Sequence, residues 1–259
     1  MSKLFLSLSS CLNARQVFYF VAVGLAVLSL KSCSGDESDP QRIVDKTIRV
    51  NGGEKYLHST IQFDFRGRHY IATRSAGVYS YERVFKDSTS TVHDFLTNSG
   101  FIRERDNQRQ AVADSMAKKY AASVNSVIYF ALLPYGLNDP SVNKKFVGTT
   151  TLEGQPYYKI DITFGPLGGE DYEDAFSYWI HKEAYTIDYM AYSFEEDGIW
   201  DIRFRKAIFR RAVGGIVFQD YINYKPRDTS RELKDVEGLF TTGQLEELSR
   251  IELENIIVK

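Results

Sequence analysis

From Lys145 to Tyr224 the chain repeats one unit: a run of alternating apolar and polar residues closed by a short turn. Tyr158, Ile160, Ile162 and Phe164 alternate with Lys159, Asp161 and Thr163. Glu153-Gly154-Gln155-Pro156 precedes this run, Lys182-Glu183 joins Phe176–Ile180 to Tyr185–Phe194, and Asp197-Gly198 and Gly214-Gly215 separate the runs that follow. Period-two alternation places one set of side chains on each face of a strand, and short Gly-containing connections join only antiparallel neighbours. The pattern therefore predicts an antiparallel meander. The 17 Tyr and 17 Phe against 2 Trp fit the same reading, because Tyr and Phe suit pleated, half-buried surfaces.

Upstream, the same logic predicts strands at Ile61–Phe65, Tyr70–Thr73 and Val78–Phe85, with weaker candidates at Thr91–Leu96 and Phe101–Arg105. Two helices interrupt the strands. Asp39 and Pro40 suit N-cap and N1 positions, and Ile43, Val44, Thr47 and Ile48 form one stripe before Asn51-Gly52-Gly53. A longer helix is predicted over Gln108–Leu133, where Val112, Met116, Tyr120, Val124, Val127, Ile128 and Ala131 repeat at helical spacing. Its SVIYFALL end is almost wholly apolar and is expected to be buried. Residues 225–240 read as irregular, Thr242–Leu248 as a short helix, and Ile251–Asn255 as a last strand. Several strands are apolar on both faces; Tyr185, Ile187, Tyr189 and Ala191 oppose Met190, Tyr192 and Phe194. Such a sheet needs a cover. The expected fold is α+β, mostly β: a curved antiparallel half-barrel with helices over its concave face.

The amino terminus constrains location. Val17–Leu30 is an uncharged apolar run, too short to span a bilayer comfortably and suited to the core of a signal peptide after Lys3 and Arg15. Leu30-Lys31-Ser32-Cys33 then resembles a lipobox, although Lys31 departs from the usual small or apolar residue. The expected organisation is a signal over 1–32, an acidic tether over 33–39 and one β-rich domain over 40–259. Cys33 is the expected lipidation site and membrane link. Asp36, Glu37 and Asp39 resemble a surface-export signal of Bacteroidota lipoproteins, or form a plain soluble linker. The net charge of −2 falls to about −5 once Lys3, Arg15 and Lys31 leave with the signal, which contains no acid. Nucleic acid, which selects clustered positive charge, is excluded as a partner. The two cysteines, Cys11 and an acylated Cys33, offer no disulfide.

The order of elements resembles the Lol-type fold of bacterial lipoprotein carriers and receptors, in which an open half-barrel wraps helices around a cavity for acyl chains. NGGEKY (51–56), SVNSVIYFALLPYGLNDPSV (123–142), YWIHKEAYTIDYMAY (178–192), IRFRKA (202–207) and GIVFQDYINY (215–224) resemble an uncharacterised family of Bacteroidota exported lipoproteins. The resemblance implies an envelope lipoprotein, on the outer membrane, that holds an apolar or lipidic ligand and takes part in lipid or lipoprotein trafficking. An envelope hydrolase and a structural surface lipoprotein are the alternatives.

The candidate ligand lining is Tyr178, Ile180, Tyr189, Met190, Tyr192, Phe204 and Phe218. Arg203, Arg205 and Arg211 alternate on one strand and are candidates for an anionic headgroup, with cross-strand pairing to Asp220 or Asp188 as the competing role. The sequence contains no GxSxG, HExxH, CxxC, Walker or GxGxxG pattern, and no catalytic residue, metal or cofactor is expected. Ser177 and His181 are a weak nucleophile–base candidate. Gly168–Asp174 is acidic enough to consider Ca²⁺, but a solvated loop explains it as well. The expected state is a monomer.

Overall fold

The computed structural model describes residues 37–165, 174–196 and 198–259. The signal, Cys33, Asp36 and most of the Gly168–Asp174 loop lie outside the described residues.

The first helix, α1 (Pro40–Asn51), starts where its cap predicts: the Asp39 Oδ1 accepts the Gln41 amide at 2.9 Å. Five antiparallel strands follow, β1 (Thr60–Phe65), β2 (Arg68–Ser75), β3 (Val78–Lys86), β4 (Thr91–Thr97) and β5 (Gly100–Arg105). Next come β6 (Gln108–Arg109) and the long helix α2 (Asp114–Ala131). The second meander is β7 (Val142–Leu152), β8 (Gln155–Phe164), β9 (Ala175–His181), β10 (Ile187–Glu196), β11 (Ile199–Val213) and β12 (Ile216–Pro226). The chain ends with α3 (Val236–Thr241), β13 (Leu245–Ile251) and β14 (Glu254–Val258).

The helix expected from Gln108 begins at Asp114 instead. Asp106 and Asn107 both adopt positive φ, 46° and 62°, which closes a tight hairpin and returns Gln108–Arg109 to pair with β5. The two predictions near the carboxyl end also shift. Val236–Thr241 is helical inside the stretch read as irregular, and Thr242–Leu248 straddles a turn and the start of β13. Ile251–Asn255 is not one strand but the passage from β13 into β14.

The strands form two seven-stranded antiparallel sheets, ordered β14-β1-β2-β3-β4-β5-β6 and β13-β12-β11-β10-β9-β8-β7. β13 extends the second sheet along β12, and β14 extends the first along β1. Residues Glu252 and Leu253 therefore carry the chain from one sheet into the other. The Leu253 amide donates to the Asp220 Oδ1 at 3.0 Å, its carbonyl accepts from Arg211, and Arg211 also pairs with Asp220 at 3.0 Å. A buried backbone left unpaired at this crossing would be costly, and this ion pair satisfies it.

Three cores result. Val124 and Ile128 of α2, with Leu132 at its carboxyl cap, pack on Ile61, Phe63, Tyr70 and Ala72 of the first sheet. Ile43 and Val44 of α1, with Leu133 and Leu137, cover one face of the second sheet at Ile160, Tyr178, Ile180 and Met190. Tyr129 and Phe130 of α2 pack against this second core, so one helix serves both sheets. The opposite face of the second sheet, carrying Trp179, Tyr189, Ala191 and Phe204, is covered by Val236 and Leu239 of α3. Glu237 anchors that helix by accepting from Thr150 Oγ1 at 2.6 Å, Lys159 Nζ at 2.9 Å and Trp179 Nε1 at 3.0 Å. Burial opposes the Glu237 charge, yet these donors hold its carboxyl below the usual carboxylate range.

Candidate functional site

The seven residues expected to line one ligand surface divide among the three cores. Tyr178, Ile180, Met190 and Tyr192 face α1 and α2. Tyr189 and Phe204 face α3, and Phe218 packs with Ile216 in the core of the first sheet. Register explains the split: Met190 pairs with Tyr178 while Tyr189 pairs with Trp179, and directly paired residues share a face. Tyr178, Ile180, Met190 and Phe204 have no solvent exposure.

On the side facing α2, several aromatic side chains stay half-buried. Phe164 (β8), Phe176 (β9), Tyr192 and Phe194 (β10) meet Tyr129 and Phe130 of α2 in a continuous wall of rings. The centroid separations are 5.1 Å for Phe130–Tyr192, 5.4 Å for Phe176–Tyr192, 5.7 Å for Phe164–Phe176 and 5.7 Å for Tyr192–Phe194. Phe176 is buried, whereas Phe130, Phe164, Tyr192 and Phe194 are half-buried. Rings at these separations attract beyond their area burial, which keeps the wall ordered. Phe130, Phe164 and Phe176 are absent from the sequence-based candidates. Phe176 shares the period of Tyr178 and Ile180 and was legible, but Phe130 required the docking of α2.

Arg205 lies at the inner end of this wall. Its Nη2 donates to the Tyr192 hydroxyl at 2.7 Å, and its guanidinium carbon sits 4.0 Å from the Phe130 ring centroid. The Tyr129 and Tyr178 hydroxyls lie 3.1 Å apart on the same side. Burial pushes the Tyr129 phenol up to about 12 and raises Tyr178 and Tyr221 as well, so all three stay protonated at neutral pH.

The three arginines do not share a face. A bulge between Ala207 and Phe209 reverses the alternation of β11, so that Arg205 pairs with Asn223 but Arg211 with Phe218, on opposite sides of β12. Arg211 is committed to Asp220 and Leu253, which is the competing role foreseen for it. Arg203 pairs with Asp201 at 2.5 Å and stacks on Phe194. Arg210 pairs with Asp188.

A second charged cluster had not been anticipated. Asp94, with no exposed surface, accepts from Arg83 Nε and Nη2 at 3.0 and 2.6 Å, and from Arg103 Nε and Nη2 at 2.6 and 2.9 Å. Arg83 also donates to Ser123 Oγ of α2 at 2.8 Å, and Arg103 stacks on Tyr120 at 3.6 Å. These charges occupy directly paired inward positions of three successive strands, β3, β4 and β5, a visible signal whose partner helix was not.

Ser177 and His181 are not a catalytic pair. Ser177 donates to the Asp161 carboxylate at 2.6 Å, and the His181 Nδ1 accepts the Glu183 and Ala184 amides. Among the described residues, no group of His, Cys, Asp and Glu is placed to hold a metal ion, and no helix is long and apolar enough to cross a membrane.

A sequence profile of one protein family matches residues 16–253. The chain belongs to DUF6503, a family of unknown function. No curated protein matches it. Among solved structures, this DUF6503 chain is similar to a LolA superfamily protein of Nitrosomonas europaea, with 7% identity, 85% of this chain and 93% of that one covered, and a TM-score of 0.47. A DUF1329 family protein of Desulfovibrio piger covers the same shares at 10% identity and a TM-score of 0.38. The lipoprotein LppX of Mycobacterium tuberculosis gives 10% identity over 60% of this chain and 90% of that one, at a TM-score of 0.25. Scores this low are distant likenesses, and no role is taken from them.

Proposed function

We propose that this DUF6503 protein is a lipid-anchored cell-envelope protein that holds an apolar or lipidic ligand between α2 and the second sheet. The observation that carries the reading is the ring wall: six aromatic side chains from four elements, five of them only half-buried, on the face of the second sheet that packs against α2. Apolar surface left facing water costs about 25 cal/mol per Å², so a ligand that covers it gains that amount. An acyl chain adds about 0.8 kcal/mol for each methylene it buries.

The lipobox-like Leu30–Cys33 supports attachment to the outer membrane through diacylated Cys33, with Asp36, Glu37 and Asp39 directing surface export. A protein so placed would serve lipid or lipoprotein trafficking. The deciding experiment incubates the purified protein with a total lipid extract and identifies what co-purifies by mass spectrometry. Retention of intact lipid is the expected result. Conversion of lipid would transfer the case to the envelope hydrolase, and no retained lipid would leave a structural surface lipoprotein.

A further inference from the structure

We propose that the ligand carries an acidic head, and that Arg205 and Tyr192 bind it at the inner end of the ring wall while its chain runs outward along the rings. This rests on the binding function above and narrows it to anionic amphiphiles.

Arg205 is 8% exposed, and its Nε is buried without a hydrogen-bond partner. Its neighbours on β11 show what is unusual. Arg203 pairs with Asp201, Lys206 with Glu153, Arg210 with Asp188 and Arg211 with Asp220. Among the described residues no carboxylate pairs with Arg205; the Tyr192 hydroxyl is its hydrogen-bond partner. A guanidinium removed from water is expensive unless an anion compensates it.

The surroundings supply hydroxyl groups able to donate to an anion. The hydroxyls of Tyr129, Tyr178 and Tyr192 are on this side, and Met190, the cross-strand neighbour of Arg205, offers no acceptor oxygen. Asn223, paired with Arg205 on the other flank, has a buried Oδ1 without a partner while its Nδ2 contacts Ser249. A half-turn of that amide would let Oδ1 accept from Ser249 and turn the orphan acceptor into a further donor. A carboxylate or phosphate accepts from such a set by charge-assisted bonds. Along β10 the side chains pass from buried Met190 through half-buried Tyr192 to half-buried Phe194, a path from the head outward.

The test measures binding of a polyene fatty acid and of its methyl ester to the full-length protein by fluorescence, at neutral pH. The acid should bind ~10-fold or more tightly than the ester, the worth of one charge-assisted hydrogen bond. Arg205→Met should abolish that preference and keep ester binding, and Tyr192→Phe should reduce the preference. Arg205→Met should also raise the melting temperature of the ligand-free protein, because an uncompensated charge is removed; a purely structural arginine would lower it. Equal binding of acid and ester by the unaltered protein overturns the acidic head and leaves the binding function intact. Binding of neither removes both. Stabilisation by millimolar inorganic phosphate alone, equal to that by the fatty acid, identifies a free-anion site and overturns the lipid source.

Discussion

Replacing Asp94 by Asn should destabilise the protein more than almost any other isosteric change. The substitution preserves volume and two polar atoms but removes the charge that two arginines share. Asp94 accepts four hydrogen bonds, two from each of Arg83 and Arg103, and has no exposed surface. Oδ2 accepts three of these bonds and Oδ1 one, so the amide nitrogen, which cannot accept, leaves one donor or three without a partner according to its orientation, and two buried guanidinium groups face each other with no counter-charge. Breaking a buried ion pair from one side costs about 3–5 kcal/mol. For a domain of this size each kcal/mol moves the melting temperature by about 2–4 °C, so the expected fall is ~6–20 °C. Thermal and urea unfolding, followed by circular dichroism, read it directly. The same logic predicts partial recovery in the triple variant Arg83→Met, Asp94→Leu, Arg103→Met, since desolvation of three ions is avoided together. A loss under about 1 kcal/mol for Asp94→Asn would refute the reasoning, because it would mean that water reaches the cluster under α2.

Glu237→Gln should cost about 1.5–3 kcal/mol in urea unfolding, because Lys159 loses its anionic partner and α3 its tie to Trp179. The Glu237 pKa is depressed in the folded state, so its contribution is complete above the ordinary carboxylate value and is lost as pH falls through the lower folded one; the unfolding midpoint of wild type and Glu237→Gln should converge on acidification below about pH 4.5. Ile160 and Met190 are both fully buried on the face toward α1, but Met190 is the cross-strand neighbour of Arg205. Met190→Asp should therefore be tolerated better than Ile160→Asp, by more than about 1 kcal/mol, with equal destabilisation in chemical melts as the contrary result. Cys33→Ser should release the protein from membranes and end its labelling by a radioactive fatty acid; continued membrane attachment would point to Val17–Leu30 as a retained segment.

Local chemistry decided much of this protein. The Asp39–Pro40 start of α1, the strand periods from Thr60 to Arg105, and the hairpins at Glu153-Gly154 and Gly214-Gly215 follow from caps, alternation and residues that tolerate positive φ. Each acts within a few residues, so each was visible in one dimension. The antiparallel, mostly β architecture followed from them. Three things depended on contacts distant in sequence. The β-bulge after Ala207 moved Arg211 to the other face from Arg205, and no alternation pattern announces a bulge. The link between the two sheets rests on where β14 finds its partner, some 190 residues upstream, as the pairing of Glu254 with Asp64 shows. The composition of the candidate site depends on where α2 docks. Phe130 and Arg205 are separated by 75 positions, and only packing of α2 between both sheets brings ring and guanidinium to 4.0 Å. Sequence determines which residues are able to face inward together; which of them meet is decided by helix docking and strand register, because burial rewards any apolar neighbour and names none.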